Sequence, residues 1–238
     1  MSTYRSPAVL RSMARGQLLG KYPIAAMAFF SVLIITVMVR LFSTALVGAD
    51  GILGFIFSTI ISFIISLFLG IVNIGILFMA LKISCKEPIY LNDILYGFTY
   101  HPQKIVKIQA VLIGVQVVAT LPADIFRMLY QNSDETDYLP MMIVFYLAGI
   151  SVYFFISLVF SQSFFLLLDF ENKSAKELLL KSHQVMNGHK KRLFGLWLSF
   201  VPLLLLSVFT CCVGLIWVMP YIKVALANFY MDLMQASD

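Results

Sequence analysis

The sequence predicts an all-α polytopic membrane protein: a bundle of about six transmembrane helices in three hairpins, each preceded by a short cytoplasmic amphipathic helix. Three observations lead there. The 238 residues are 61% hydrophobic and only 12% charged, with a mean hydropathy of +0.91. A soluble domain is about half apolar and about a quarter charged. Residues 52–81 contain no charged side chain, a run longer than the roughly 20 residues that cross about 30 Å of hydrocarbon. Finally, the runs are continuously apolar where barrel strands would alternate, and lipid requires every backbone polar group to be satisfied internally, so helices are selected over a barrel.

The spans read approximately as 22–46, 52–81, 105–121, 140–168, 193–209 and 215–230. The last two share one apolar tract broken by Thr210-Cys211-Cys212-Val213-Gly214, which reads as a tight hairpin. Cys85, Cys211 and Cys212 read as small apolar or solvated residues rather than as a disulfide framework. The first apolar stretch is too long for a signal-peptide core and lacks a small-residue cleavage site before Asp50, so it is expected to remain as a span.

Orientation follows from the basic residues. Of the 17 Lys and Arg, all but Arg40 and Arg127 fall in or beside the segments on one face, while the opposite face carries Asp124, Asp134, Glu135 and Asp137. Cytoplasmic loops are enriched in Lys and Arg, so both termini are expected in the cytoplasm. The same partition accounts for a pI near 9.1 without nucleic acid. The implied partner is the lipid bilayer and its anionic headgroups on the cytoplasmic side, at about 1 kcal/mol per basic residue near the surface.

A capped, partly amphipathic lead-in, a helix stop and lysine precede each odd-numbered span, giving units of approximately 1–82, 83–170 and 171–238 within a single membrane domain. In the first, Ser6 caps with Pro7 at the first helical position, and Val9, Leu10 and Met13 face one way before Lys21. In the second, Asn92 caps, Ile94, Leu95 and Phe98 are apolar, and His101-Pro102 stop the helix before Lys104. In the third, Ser174 and Glu177 form a capping box, with Ala175, Leu178, Leu179, Ser182, Val185 and Met186 on one face and Gly188 at the end. These helices are too short and too charged to span. They either lie in the inner interface or dock on the cytoplasmic ends of the bundle.

Met186-Asn187-Gly188-His189-Lys190, Met219-Pro220-Tyr221 and Ala227-Asn228-Phe229-Tyr230, together with the lead-in from Arg11 to Gly20, are the most distinctive words in the chain. They resemble a family of uncharacterised six-span membrane proteins of Gram-positive bacteria, known as a domain of unknown function. The resemblance implies a bacterial cytoplasmic membrane and transfers no catalytic residue. Lys223 departs from it, standing where such proteins are expected to have a small polar residue. A looser likeness is to the membrane portion fused to some glycerophosphodiester phosphodiesterases, whose soluble catalytic domain has no counterpart here.

No catalytic, metal or cofactor motif is present: there is no His-Glu-x-x-His, no Gly-x-Ser-x-Gly and no phosphate-binding glycine loop, and His101, His183 and His189 all fall in cytoplasmic segments. Polar stripes remain. Ser58, Ser62, Ser66 and Asn73 mark the second span, Gln109 and Gln116 the third, and Gly149, Tyr153, Ser157 and Ser161 the fourth. Such stripes let helices approach and hydrogen bond, at roughly 0.6 to 2 kcal/mol per contact, and the rival reading is a polar pathway.

Lys223 follows Pro220, which kinks the sixth span. It either snorkels to the inner interface or points into the bundle to hold an anionic group beside Tyr221. Arg40 either snorkels or pairs with Asp50 or Asp124. Candidate ligand or lipid contacts are therefore Lys223, Tyr221, Pro220, Asn73 and Gln116, with Lys190, Lys191 and Arg192 at the headgroups. The sequence favours a non-enzymatic envelope or membrane-associated factor acting through lipid or protein contacts; the alternative is a small transporter or lipid translocator built around the kinked sixth span.

Overall fold

Each lead-in helix folds back onto the bundle. The computed structural model describes residues 4–46, 51–132, 138–170, 172–210 and 213–235, and among them every regular element is helical. Asp50, Asp134, Glu135, Asp137, Cys211 and Cys212 lie outside the described residues.

Helix α1 (Pro7–Leu18) begins where Ser6 Oγ accepts from the Val9 N–H, as a residue followed by proline at the first helical position should. Its inward face is Leu10, Ala14 and Leu18, each at most 1% exposed, whereas Val9 is 44% exposed. The face expected from Val9 is thus rotated, because the four-residue repeat of small and apolar side chains fits the groove better. Helices α2 (Tyr22–Leu46) and α3 (Gly51–Ser84) run antiparallel: Arg40 donates to Ser66 Oγ at 3.2 Å, and Gln17 donates to the Ser84 carbonyl at the other end.

The second lead-in is a 3-10 turn (Leu91–Leu95) followed by α4 (Tyr96–Thr99). Asn92 does not cap it. The Asp93 carboxylate accepts from the Tyr90 N–H at 2.9 Å and pairs with Lys82 at 3.0 Å. This segment lies along α3 with Tyr96 stacked on Phe78 at 3.8 Å. The backbones meet so closely that a Cβ on Gly75 would stand 2.0 Å from the Ile94 carbonyl oxygen.

Helices α5 (Pro102–Asn132) and α6 (Tyr138–Phe160) pair along their length, and a Cβ on Gly149 would meet the Ala119 carbonyl oxygen at 2.3 Å. The small residue in that stripe therefore serves helix approach. The chain breaks at Ser161-Gln162 and continues as α7 (Ser163–Asp169). The third lead-in, α8 (Ala175–Val185), carries the expected capping box, with Leu178, Ser182 and Met186 fully buried. The fifth span, expected as one helix, is two: α9 (Lys190–Leu198) and α10 (Val201–Phe209). Pro202 lacks the N–H that the Leu198 carbonyl would need to continue the helix.

Among the described residues, five helical stretches are long and apolar enough to cross a membrane: Tyr22–Phe42, Ile56–Ser84, Pro102–Tyr130, Tyr138–Asp169 and Lys190–Phe209. The expected sixth, α11 (Leu215–Gln235), is not among them. Lys223, Asn228 and Asp232 dilute its apolar run, and its face from Pro220 to Leu233 is buried, with α1, α2, α3 and α10 packed on the helix. A helix enclosed by protein needs less hydropathy than one facing lipid.

Candidate functional site

Two groups of charge are drawn into this bundle, one on each side of α11. On the first side, Lys223 Nζ donates to Asn73 Oδ1 of α3 at 3.3 Å. The snorkelling alternative is overturned, since the ammonium crosses to a neighbouring helix rather than running to the headgroups. The pair sits in a cavity of about 170 Å³ whose walls are otherwise apolar: Phe29, Phe30 and Leu33 of α2, Ile76 of α3, and Ile216 and Met219 of α11.

The chemistry on offer is donor-rich. An ammonium carries three N–H donors and no acceptor, and only one donor is spent on Asn73. With Oδ1 occupied, the Asn73 amide offers two more N–H groups. Pro220 has no N–H, so the carbonyl of Ile216, on the pocket wall, is left without its helical donor. No carboxylate is among the described lining residues. A neutral amide only partly replaces the water that an ammonium gives up, and the effective penalty for an ion so placed is several kcal/mol. Among its described residues the pocket thus holds one basic side chain and no acidic one.

Its level can be read from packing. A Cβ on Gly70 would lie 2.6 Å from Gln109 Cγ, so these residues of the antiparallel α3 and α5 are level. Asn73, about 4.5 Å further along α3, then stands beside the turn of α5 that carries Lys104 and Lys107. The Lys223–Asn73 pair therefore stands level with the basic turn of α5, and the rest of the pocket runs from it along α11 to Leu215, the first residue of that helix.

The second group binds the ends of the chain together. Asp232 of α11, 6% exposed, accepts from Arg192 Nη2 at 2.5 Å and from the Arg5 backbone N–H at 3.3 Å. Arg192 also donates to the Arg5 carbonyl at 2.7 Å, and its guanidinium stacks over Tyr4 at 4.7 Å and Phe229 at 5.2 Å. Tyr4 in turn meets the His189 ring at 4.4 Å. Burial and the Arg192 charge push the His189 pKa below its ordinary value, against a smaller opposing pull from Asp232.

Over residues 5–237 the sequence matches the model of a family described as a protein of unknown function, DUF975. The chain belongs to that family. Pocket and clasp both fall inside the DUF975 match, which starts at Arg5 and runs past Asp232. No curated protein and no solved structure matches the chain.

Of the residues singled out in this DUF975 sequence, Lys223 and Asn73 are brought together. Gln116 is exposed on α5 and does not line the pocket. Tyr221 turns to the other side of α11, where its ring meets Phe200 edge-on at 5.2 Å, and Pro220 is buried. Lys190 and Lys191 are exposed, whereas Arg192 is half-buried and turned toward Asp232. Asp232 was missed. Its signal was available: it is the single acid between Glu177 and Asp238, in a tract that also carries the basic run 190–192.

Proposed function

We propose that this protein is a non-enzymatic component of the bacterial cytoplasmic membrane, with both termini in the cytoplasm, that acts by holding an anionic molecule through Lys223. The observation that carries this reading is the Lys223–Asn73 pair in an apolar-walled pocket with no described carboxylate. An envelope or assembly factor of this kind needs a binding site and a surface rather than a reaction centre. The surface is the basic end of the bundle, where Lys190 and Lys191 remain exposed to headgroups. The level of the Lys223–Asn73 pair beside the basic turn of α5, and the exposure of Gln116 away from the pocket, favour a holding site over a path through the membrane.

The test is retention. Protein extracted from membranes in mild detergent should carry an anionic molecule at about one per chain, measured by mass spectrometry of the organic extract and weakened by loss of the single cation. Lys223→Met should lose it, while Lys190→Gln with Lys191→Gln should keep it. Equal retention by wild type and Lys223→Met refutes the assignment.

A further inference from the structure

We infer that the ligand of the Lys223 pocket is a membrane lipid with an anionic head, entering sideways from the inner half of the bilayer with its acyl chain between α2 and α11. This rests on the reading that the pocket holds an anion, and three further observations specify which kind.

The first is the direction of the opening. Toward the basic end the helices around the pocket are closed: Ala28, Met79, Ala80 and Ala227 are at most 2% exposed. Just beyond them Asn228 donates to Gln17 Oε1 at 2.8 Å, tying α11 to α1. A solute arriving from the cytoplasm meets this packed layer. On the lateral side, by contrast, Phe30 is 44%, Leu33 39% and Met219 37% exposed. All three lie within or beside apolar helical surface that faces hydrocarbon, so the open side of the pocket communicates with lipid.

The second is the division of the walls. Polar donors are confined to the Lys223–Asn73 pair, and the remaining wall is aromatic or aliphatic. A free inorganic anion would leave that apolar surface against water or void. An acyl chain covers it, at roughly 25 cal/mol per Å² of apolar surface removed from water. The third is level. The Lys223–Asn73 pair, the polar end of the pocket, lies beside the α5 turn bearing Lys104 and Lys107, on the side where lipid phosphates are within reach of basic side chains. A single lysine beside the amide N–H groups of Asn73 matches one phosphate oxyanion.

The test uses full-length protein stripped of lipid in detergent, titrated with phosphatidylglycerol, with phosphatidylcholine of the same chains, and with glycerol phosphate, binding being read by native mass spectrometry. Phosphatidylglycerol should bind at one per chain and be preferred over phosphatidylcholine by about fivefold to tenfold, the size of one headgroup–lysine interaction. Lys223→Met should abolish the preference and Lys223→Arg should keep it. Leu33→Trp, which fills the lateral opening and leaves the cation in place, should lose the lipid. Glycerol phosphate should not bind over the same range. If glycerol phosphate binds as well as the lipid and does so through Lys223, the lipid inference is overturned while the anion reading stands. If no probe shows dependence on Lys223, both fall.

Discussion

Arg192 and Lys223 are both cations taken out of water by the same helix bundle, and their surroundings differ. Arg192 stacks on Tyr4 and Phe229, donates to a backbone carbonyl and meets the Asp232 carboxylate at 2.5 Å. Lys223 meets one neutral amide and an apolar wall. In the first arrangement the opposite charge is supplied by the chain and joins residues 5, 192 and 232, although Arg192 Nη1 is buried without a hydrogen-bond partner. The second leaves donors and a positive charge unmatched. No carboxylate stands on the described pocket wall, which leaves room for a negative group brought from outside.

The largest expected consequence of this contrast is at Asp232. Asp232→Ala leaves Arg192 without its partner and the Arg5 N–H without an acceptor, and should cost about 3 kcal/mol, read as a lowered unfolding midpoint in detergent. A loss below about 0.5 kcal/mol, the usual range for surface changes, would mean that the clasp is no tighter than an exposed ion pair and would erase the contrast.

A smaller effect sharpens the same side of the comparison. His189 has a pKa below its ordinary value in the folded protein, so folding favours the neutral ring. Its contribution to stability is present above the unfolded value of about 6.5 and is lost as the pH falls through the lower folded value. Melting curves between about pH 8 and pH 5 should show an acid-side decline that is shallower in His189→Gln. An unchanged decline in that variant would place the titrating group elsewhere.

Much of this was legible in the chain, and the division has a physical basis. The caps at Ser6 and at Ser174 with Glu177 were readable because capping is a contact within four residues. Lys223 and Asn73 stood out singly as polar exceptions in apolar helices. That they meet was not readable, because 150 residues separate them and only the register of α3 against α11 decides it. Gln116 shared that uncertainty and turned outward, since a uniformly apolar helix does not declare which face packs. The rotation of α1 that exposes Val9 has the same origin. The break before Pro202 had a local signal in the proline itself, whereas the break at Ser161-Gln162 had none of comparable strength. The apolar dilution of α11 was visible in Lys223, Asn228 and Asp232, and reads correctly only once the helix is seen to be enclosed by its neighbours.

If Lys223 is held for a ligand and Arg192 for the fold, loss of charge at the two places should act oppositely on stability. Thermal unfolding of Lys223→Met in fully delipidated detergent, beside wild type and Asp232→Ala, tests it most directly. The midpoint of Lys223→Met is expected to equal or exceed that of wild type, because the change removes a cation without a described carboxylate partner from an apolar pocket and keeps the side chain's length. A loss of stability comparable with that of Asp232→Ala would contradict it and make Lys223 a structural residue.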